Sequence, residues 1–517
     1  LAFATLKTKN VAEARGYLDE AKRAAPKDDA RFQSWSDALE IELELAEEPT
    51  KALSVSENLL RRGEEAMAPE LFFYASSTRA RALDMLGRTD AAIQAFVAGD
   101  TALDQWSAWV PLGEGRSAFL TQQDQWSRVA VGFYVRRAEA ETPNSPAHAA
   151  ALQTAANVAR RSLARFFETS MTTETIPAAE IGVRRKNQDG GQKGGGSGKK
   201  PAPLVAAPRI AMDTKGASPN TLSIVYHPVP EGWVGFAIEP DGAITMKRLP
   251  GFREDVGSPS SDLSAALLAP FADPINRAKR LRFSGPAKLT RLAFEALPWK
   301  DGLLADVASV SYGFDASVAN AANGCQGTRR ALVVTNPLGD LAGAESSGAG
   351  TRKTLQALGW TVDWLEGPAA KREAVLAALQ DPCTTLFHYD GHARFEGRDG
   401  LRAALMLRDD ALTVSDLLSL PRVPEAIVLL GCATAKDEGL GLAQAFLQRG
   451  SREVLATTDD VDDTLSQRIA ERLYESAPTA STGPPELAIA LRGALKSART
   501  GGSGDPADPL RFRVLTR

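Results

Sequence analysis

The sequence predicts an α + α/β protein: an N-terminal helical repeat region followed by an α/β/α sandwich. Three observations carry this. Residues 1–172 are rich in Ala, Leu, Glu and Arg and hold no strand-like run. Residues 173–215 then turn polar and Gly/Lys-rich. From 330 onward, short β-branched runs alternate with helical patterns, the signature of a mainly parallel sheet with crossover helices. At 517 residues the chain is too long for one core, so several domains are expected.

Within 1–172, Asn10-Val-Ala-Glu-Ala14, Pro49-Thr-Lys-Ala-Leu53 and Arg88-Thr-Asp-Ala-Ala92 are alike. Their alanines at 14, 52 and 92 are spaced by 38 (52 − 14) and 40 (92 − 52), looser than the tetratricopeptide period of about 34. Ala80–Gly87 followed by Ala91–Phe96 resembles the core of that repeat. A TPR-like helical repeat domain, whose concave face holds a protein partner or regulator, is therefore expected over 1–172; a plain helical bundle is the alternative. In 173–215, the stretch Arg184–Lys200 has no apolar side chain to offset its ordering entropy, so a flexible linker is expected. Residues 216–325 open with a strand meander, Leu222–Tyr226, Trp233–Ile238 and Ala243–Lys247, separated by turn signals at Gly232 and Gly242. Residues 326–517 carry the alternation: strands over 330–335, 361–365, 384–389 and 426–430, with helices around Leu355 and over 371–379 and 439–447. Leu510–Leu515 alternates as a sheet-edge strand would.

Two loops carry the chemistry. Ala426–Leu430, bounded by Pro424 and Gly431, reads as a buried strand, which places Cys432 at its carboxyl end, where open α/β sheets build active sites. His392 follows Gly391 after Thr384–Tyr389 and leaves the sheet on the same edge. A thiol at its ordinary pKa is mostly protonated at neutral pH, and a neighbouring imidazole is the usual proton acceptor. His392 and Cys432 are thus the candidate catalytic dyad. Histidine precedes cysteine by 40 positions (432 − 392), the order of caspase-type dyads, where the spacing is about 50.

These blocks resemble a CHAT domain, the caspase-like peptidase module of the clan (CD) that also holds caspases, separases and gingipains. Leu386-Phe-His-Tyr-Asp-Gly-His392 is similar to the family's LHFAGHG strand, and Val428-Leu-Leu-Gly-Cys-Ala-Thr434 to its VLSACET. Gly439–Phe446 resembles GLARAF, Glu453–Asp463 resembles VVASLWPVDD, and Leu297-Pro-Trp299 and Val310-Ser-Tyr312 resemble PWE and VSYAPS. The resemblance implies a caspase-like sandwich, with 326–517 as catalytic core and 216–325 as its N-terminal, pseudo-caspase-like part. It implies acyl transfer through a thioester: Cys432 attacks the scissile carbonyl, and His392 takes the thiol proton and later gives one to the leaving amine. The main-chain N–H groups of Ala393 and Cys432 would hold the oxyanion. Ala393 stands where the family usually has glycine, and no third member of a triad is evident.

Thr457–Asp463 brings four carboxylates to the neighbouring loop. The block resembles the separase LWDVTD segment, whose aspartate after the tryptophan binds a P1 arginine. Asp460 stands at that position, with Asp459 and Asp390 as further substrate-binding candidates. Asp462 and Asp463 also suit capping of the next helix. His388 and His392 have zinc-pair spacing, but they end a strand run and lack the glutamate and third ligand, so no metal or cofactor is expected. His388 is expected as a packed strand residue supporting the dyad.

A net charge of −4 gives no support for nucleic acid as a direct partner, and no apolar run is long enough to span a membrane. No signal-peptide pattern is present, although the chain opens on Leu1 rather than methionine, which leaves its native start open. Cys325, Cys383 and Cys432 are too few for a disulfide framework and suit a reducing cytoplasm. The expected function is a cytoplasmic cysteine endopeptidase that cuts a specific protein, with Arg or Lys at P1, regulated by a partner at the repeats. Self-cleavage at the basic 184–200 linker would follow from such a preference, and the resemblance adds a role in bacterial defence or cell death. The alternative is a catalytically inactive caspase-like scaffold that binds partners through its helical repeats.

Overall fold

The computed structural model describes residues 10–25, 30–66, 68–110, 124–172, 220–253, 258–315, 327–395, 402–432, 434–435, 441–475, 483–501 and 511–517, with 2, 5, 119, 325 and 479 between them. The whole of the 173–215 linker reading, including its self-cleavage site, lies outside the described residues. The chain divides into two compact units.

The first unit takes in Leu1–Pro111, Gln122–Trp126 and Thr172–Arg209. Its described helices are α1 (Val11–Ala24), α2 (Ala30–Glu47), α3 (Pro49–Ala66), α4 (Pro69–Met85) and α5 (Thr89–Trp109). Each packs against the next in sequence. Asn10 caps α1 through Glu13 N–H, and Pro69 sits in the first turn of α4, where its missing donor costs nothing. Ala14, Ala52 and Ala92, the residues that mark the sequence repeat, are all fully buried on α1, α3 and α5.

The second unit takes in Leu112–Thr121, Ser127–Met171 and Ile210–Arg517. Where the sequence suggests a boundary at 172, the contacts group most of α6 (Asp124–Ala140) and α7 (Pro146–Thr172) with the sheet that follows. The bonds between them are specific. Arg160 of α7 donates to Asp315 at 3.0 Å, Ser162 and His227 are 2.7 Å apart, and Arg248 pairs with Glu139 of α6 at 2.6 Å.

One mixed sheet of eleven strands forms the middle layer: β1 (Thr221–Val229), β2 (Gly232–Ile238), β3 (Ile244–Arg248), β4 (Arg280–Ser284), β5 (Ser309–Gly313), β6 (Arg330–Thr335), β7 (Thr361–Glu366), β8 (Thr384–Asp390), β9 (Ala426–Leu429), β10 (Glu453–Thr457) and β11 (Phe512–Thr516), in the order β3-β2-β1-β4-β5-β11-β10-β9-β8-β6-β7. The meander β1–β3 is antiparallel, as the turn signals predict. β1, β4 and β5 are parallel to one another and to β11, while β10, β9, β8, β6 and β7 form a second parallel set. β11 is antiparallel to β10, so it joins two half-sheets that run in opposite directions.

That corrects the reading of Leu510–Leu515 as an edge. The alternation is real, but both faces are covered. Phe512 and Val514 enter the core on one face, Leu515 enters the core on the other, and Arg513 is buried with its guanidinium on the carbonyls of Thr290 and Arg291 and over the Tyr312 ring. A charged residue whose terminal nitrogens are met by backbone carbonyls leaves the same sequence pattern as a solvated one.

The second parallel set shows why its strands read as continuous apolar runs. Leu332, Val334, Phe387, Tyr389, Ile427, Leu429, Val454 and Ala456 face one core, which holds helices α8 (Arg372–Gln380), α9 (Val414–Ser419) and α10 (Leu442–Gln448). Ala331, Val333, Leu386, Val428 and Leu455 face the other, with α11 (Asp463–Leu473) and α12 (Leu487–Gly501).

Cys325 and Cys383 form a disulfide, closing a span of 58 residues at the start of β8. The sequence alone suggests three thiols suited to a reducing cytoplasm. Disulfides persist in oxidising compartments, so the thiol argument for the cytoplasm falls, and Cys432 is the free cysteine. Among the described residues no helix is long and apolar enough to cross a membrane.

Candidate active site

The register between β8 and β9 places the two candidate residues. Tyr389 is paired with Leu429, and Leu430 N–H donates to the Tyr389 carbonyl at 2.9 Å. His392 and Cys432 each lie three positions beyond that pair (392 − 389 and 432 − 429), on neighbouring loops that leave one rim of the sheet.

Both loops are pinned. Tyr389 Oη is shared between the carbonyls of His392 (2.6 Å) and Met406 (2.7 Å), and Met406 N–H donates to the His392 carbonyl at 2.9 Å. Thr457, at the end of β10, donates its hydroxyl to the Gly431 carbonyl at 2.5 Å, and Ala435 N–H donates to the Thr457 carbonyl at 2.8 Å. Between the loops there is no room for a side chain. A Cβ on Gly431 would lie 2.8 Å from both the Ala393 Cβ and the Gly391 carbonyl oxygen, and 3.2 Å from the Ala393 nitrogen. Ala393 is therefore accommodated in place of the family's usual glycine, because its methyl uses the space that Gly431 leaves. Gly431→Ala is expected to push two backbones apart, lowering peptide hydrolysis by at least ~10-fold and stability by about 1–3 kcal/mol; a melting curve and a rate assay on the same preparation check this.

Cys432 is half-buried, and its Sγ lies 3.8 Å from the Val461 carbonyl. The acidic loop is thus beside the sulfur. Asp459 and Asp460, just before Val461, are exposed, and the Asp459 carboxylate accepts the Asp460 N–H at 2.9 Å. Asp462 caps α11 through the N–H groups of Thr464 and Leu465, as the sequence predicts. Asp390 is different. It is buried at the end of β8, accepts from Ser347 at 2.6 Å, and burial together with the nearby Asp463 charge pushes its carboxyl up to about 6. Its burial and its bond from Ser347 set it apart from Asp459 and Asp460, which are exposed.

His388 is the packed strand residue that the sequence predicts. Its ring lies against Tyr474, with Nδ1 2.9 Å from the hydroxyl, in the core on the α11 side. Complete burial drives its pKa down to about 3. A histidine near 6.5 when unfolded and about 3 when folded is kept neutral by the fold, so stability is lost as pH falls below the unfolded value. His388→Gln is therefore expected to gain on wild type by about 1.4 kcal/mol per pH unit below ~6.5, measured as the shift in urea midpoint between pH 7 and pH 5.

The residue that sequence reasoning missed is Asp340. Its Oδ2 lies 3.1 Å from His392 Nε2. No motif marks it, since it sits in Leu338-Gly-Asp-Leu341, 52 positions upstream of the histidine; only the pairing of β6 with β8 brings it near.

Residues 258–510 match the family of the CHAT domain. They are a CHAT domain. The match starts after β3, so the sheet extends beyond the CHAT domain by the meander. The chain is also similar to the complex of Porphyromonas gingivalis RgpB pro- and mature domains, at 11% identity and a TM-score of 0.33, covering 49% of this chain and 69% of that one. Two crystal structures of the Saccharomyces cerevisiae separase–securin complex show 11% identity and a TM-score of 0.41, covering 100% of this chain and 53% of theirs, so this chain spans about half their length. No curated protein matches.

Proposed function

We propose that the CHAT domain of this chain is a cysteine endopeptidase working through Cys432 and His392. The observation that supports it most is the in-register exit of the two loops, closed on one another at Gly431. In this reading Cys432 Sγ gives its proton to His392, attacks the scissile carbonyl and forms a thioester; the imidazolium protonates the departing amine, and water then releases the acid. The Ala393 and Cys432 amides hold the oxyanion, the former lying against Gly431.

Asp460 and Asp459 form the P1 pocket for Arg or Lys. Their support is proximity, since Val461 next to them is the main-chain neighbour of the sulfur, together with the charge-assisted contact a carboxylate makes with a guanidinium. The helices of the first unit, read as TPR-like repeats, would recruit the substrate or a regulator, and the reading adds a role in bacterial defence or cell death whose support is the family resemblance alone. Digestion of an unbiased peptide library tests the proposal. Cleavage after Arg or Lys by wild type, lost in Cys432→Ala and reduced ~10-fold or more in Asp460→Asn, is expected; cleavage only after acidic or aliphatic residues would remove the pocket assignment.

A further inference from the structure

We infer that Asp340 is the positioning residue of the dyad: it holds His392 by Nε2, so that Nδ1 is the nitrogen presented to Cys432. This rests on the dyad proposed above. Asp340 lies on the loop after β6, and β6 pairs in parallel with β8 as far as Thr335 opposite Asp390. The loop therefore leaves the sheet at the same rim as His392.

The loop is built to fix what it carries. Asn336 takes the left-handed conformation (φ 42°), and its N–H donates to the Asp390 carbonyl at 2.9 Å. Its side-chain oxygen accepts from the N–H groups of Gly339 (3.1 Å) and Leu341 (3.0 Å), the residues on either side of Asp340. Pro337 packs so closely beside the histidine loop that a Cβ on Gly391 would lie 2.8 Å from its Cδ. The backbone of Asp340 is thus tied at both flanks and anchored to the strand that carries His392.

The Asp340 and His392 side chains are 56% and 43% exposed, so their pair contributes little to folding. What it can fix is the ring. As the thiol proton passes from Sγ to Nδ1, a thiolate and an imidazolium form; Nε2–H stays on the imidazole and Asp340 accepts its hydrogen bond throughout, taking no proton itself. The carboxylate beside the new positive charge favours this ion pair over the neutral thiol and imidazole. An ion pair formed by chance on the surface would do neither.

The test compares the full chain with Asp340→Asn, Asp340→Glu and His392→Ala. Iodoacetamide alkylation of Cys432 is followed by mass spectrometry at about pH 7 and about pH 10, where a thiol ionises unaided, alongside kcat and KM on a peptide from the library. Asp340→Asn is expected to slow alkylation about 10-fold at neutral pH and not at alkaline pH, and to lower kcat about 10- to 100-fold with KM within twofold. Asp340→Glu should restore most of the loss, and melting temperatures should coincide. Wild-type reactivity in Asp340→Asn, with His392→Ala slow, would overturn the inference and leave the dyad standing. Wild-type reactivity in His392→Ala at neutral pH would overturn the dyad itself. Equal slowing of Asp340→Asn at both pH values would point to altered access to the sulfur, and would also overturn the role assigned to Asp340.

Discussion

Cys432→Ala is expected to lower peptide hydrolysis by 10³-fold or more, the order found when an enzyme loses its nucleophile, while leaving the fold intact. The sulfur is half-buried and its one hydrogen bond is the long contact to Val461. Removing it therefore takes away little packing, about 1 kcal/mol or less on the scale of a single buried group. The loop keeps its shape because Thr457 and Ala435 hold it from outside the cysteine. His392→Ala should cost a comparable factor, and the double variant little more than either alone, since two groups that act as a unit give non-additive losses. Release of a fluorophore from a peptide and labelling by a thiol-directed covalent probe read both effects. Retention of more than about a tenth of wild-type turnover in Cys432→Ala would exclude the thiol as nucleophile.

How far the sequence could be read follows from what each residue needs. Strands buried on both faces, such as Ala426–Leu429 and Thr384–Asp390, announce themselves by continuous apolar character, and the loops after them inherit a definite place. That is why the positions of His392 and Cys432 on one rim were legible. Asp340 was not, because its neighbour is set by a parallel crossover and not by local pattern. The burial of Asp390 and its bond from Ser347 were not legible either, since an acid at the end of a strand looks exposed in the sequence. Arg513 and the strand it lies on show the same limit, since charge in the sequence does not reveal whether backbone carbonyls meet it inside. The cysteines 325 and 383 were hidden by their separation, which the sheet closes by aligning the approach to β6 with that to β8.

The largest effect on stability is expected at Asp315. This carboxylate is fully buried and its Oδ1 is met by Arg160 of α7 at 3.0 Å and Arg282 of β4 at 2.7 Å. Asp315 takes the left-handed conformation (φ 56°), which aspartate tolerates better than most residues. Arg282 also reaches the Thr516 hydroxyl at 3.0 Å and the Arg517 carbonyl, so helix α7, the first half-sheet and the joining strand β11 meet at one charge. Asp315→Ala would remove the buried carboxylate that Arg160 and Arg282 share, at a cost of about 3–5 kcal/mol. Asp315→Asn keeps an oxygen acceptor and should cost less, about 1–3 kcal/mol.

A pH series separates charge from shape. Burial alone would raise this carboxyl, but Arg282 and Arg160 overcome it and hold it down at about 2. Since the folded value lies below the unfolded 3.8, the carboxylate adds about 2 kcal/mol of stability above pH ~4, lost as pH falls toward 2. In Asp315→Asn that contribution is absent at every pH. Urea midpoints of the two proteins should therefore differ at neutral pH and converge near pH 2–3; identical midpoints at pH 7 would show that the guanidinium groups find other partners. Because the triad sits in the seam between half-sheets and touches neither loop of the dyad, Asp315→Asn should retain wild-type kcat/KM wherever it remains folded.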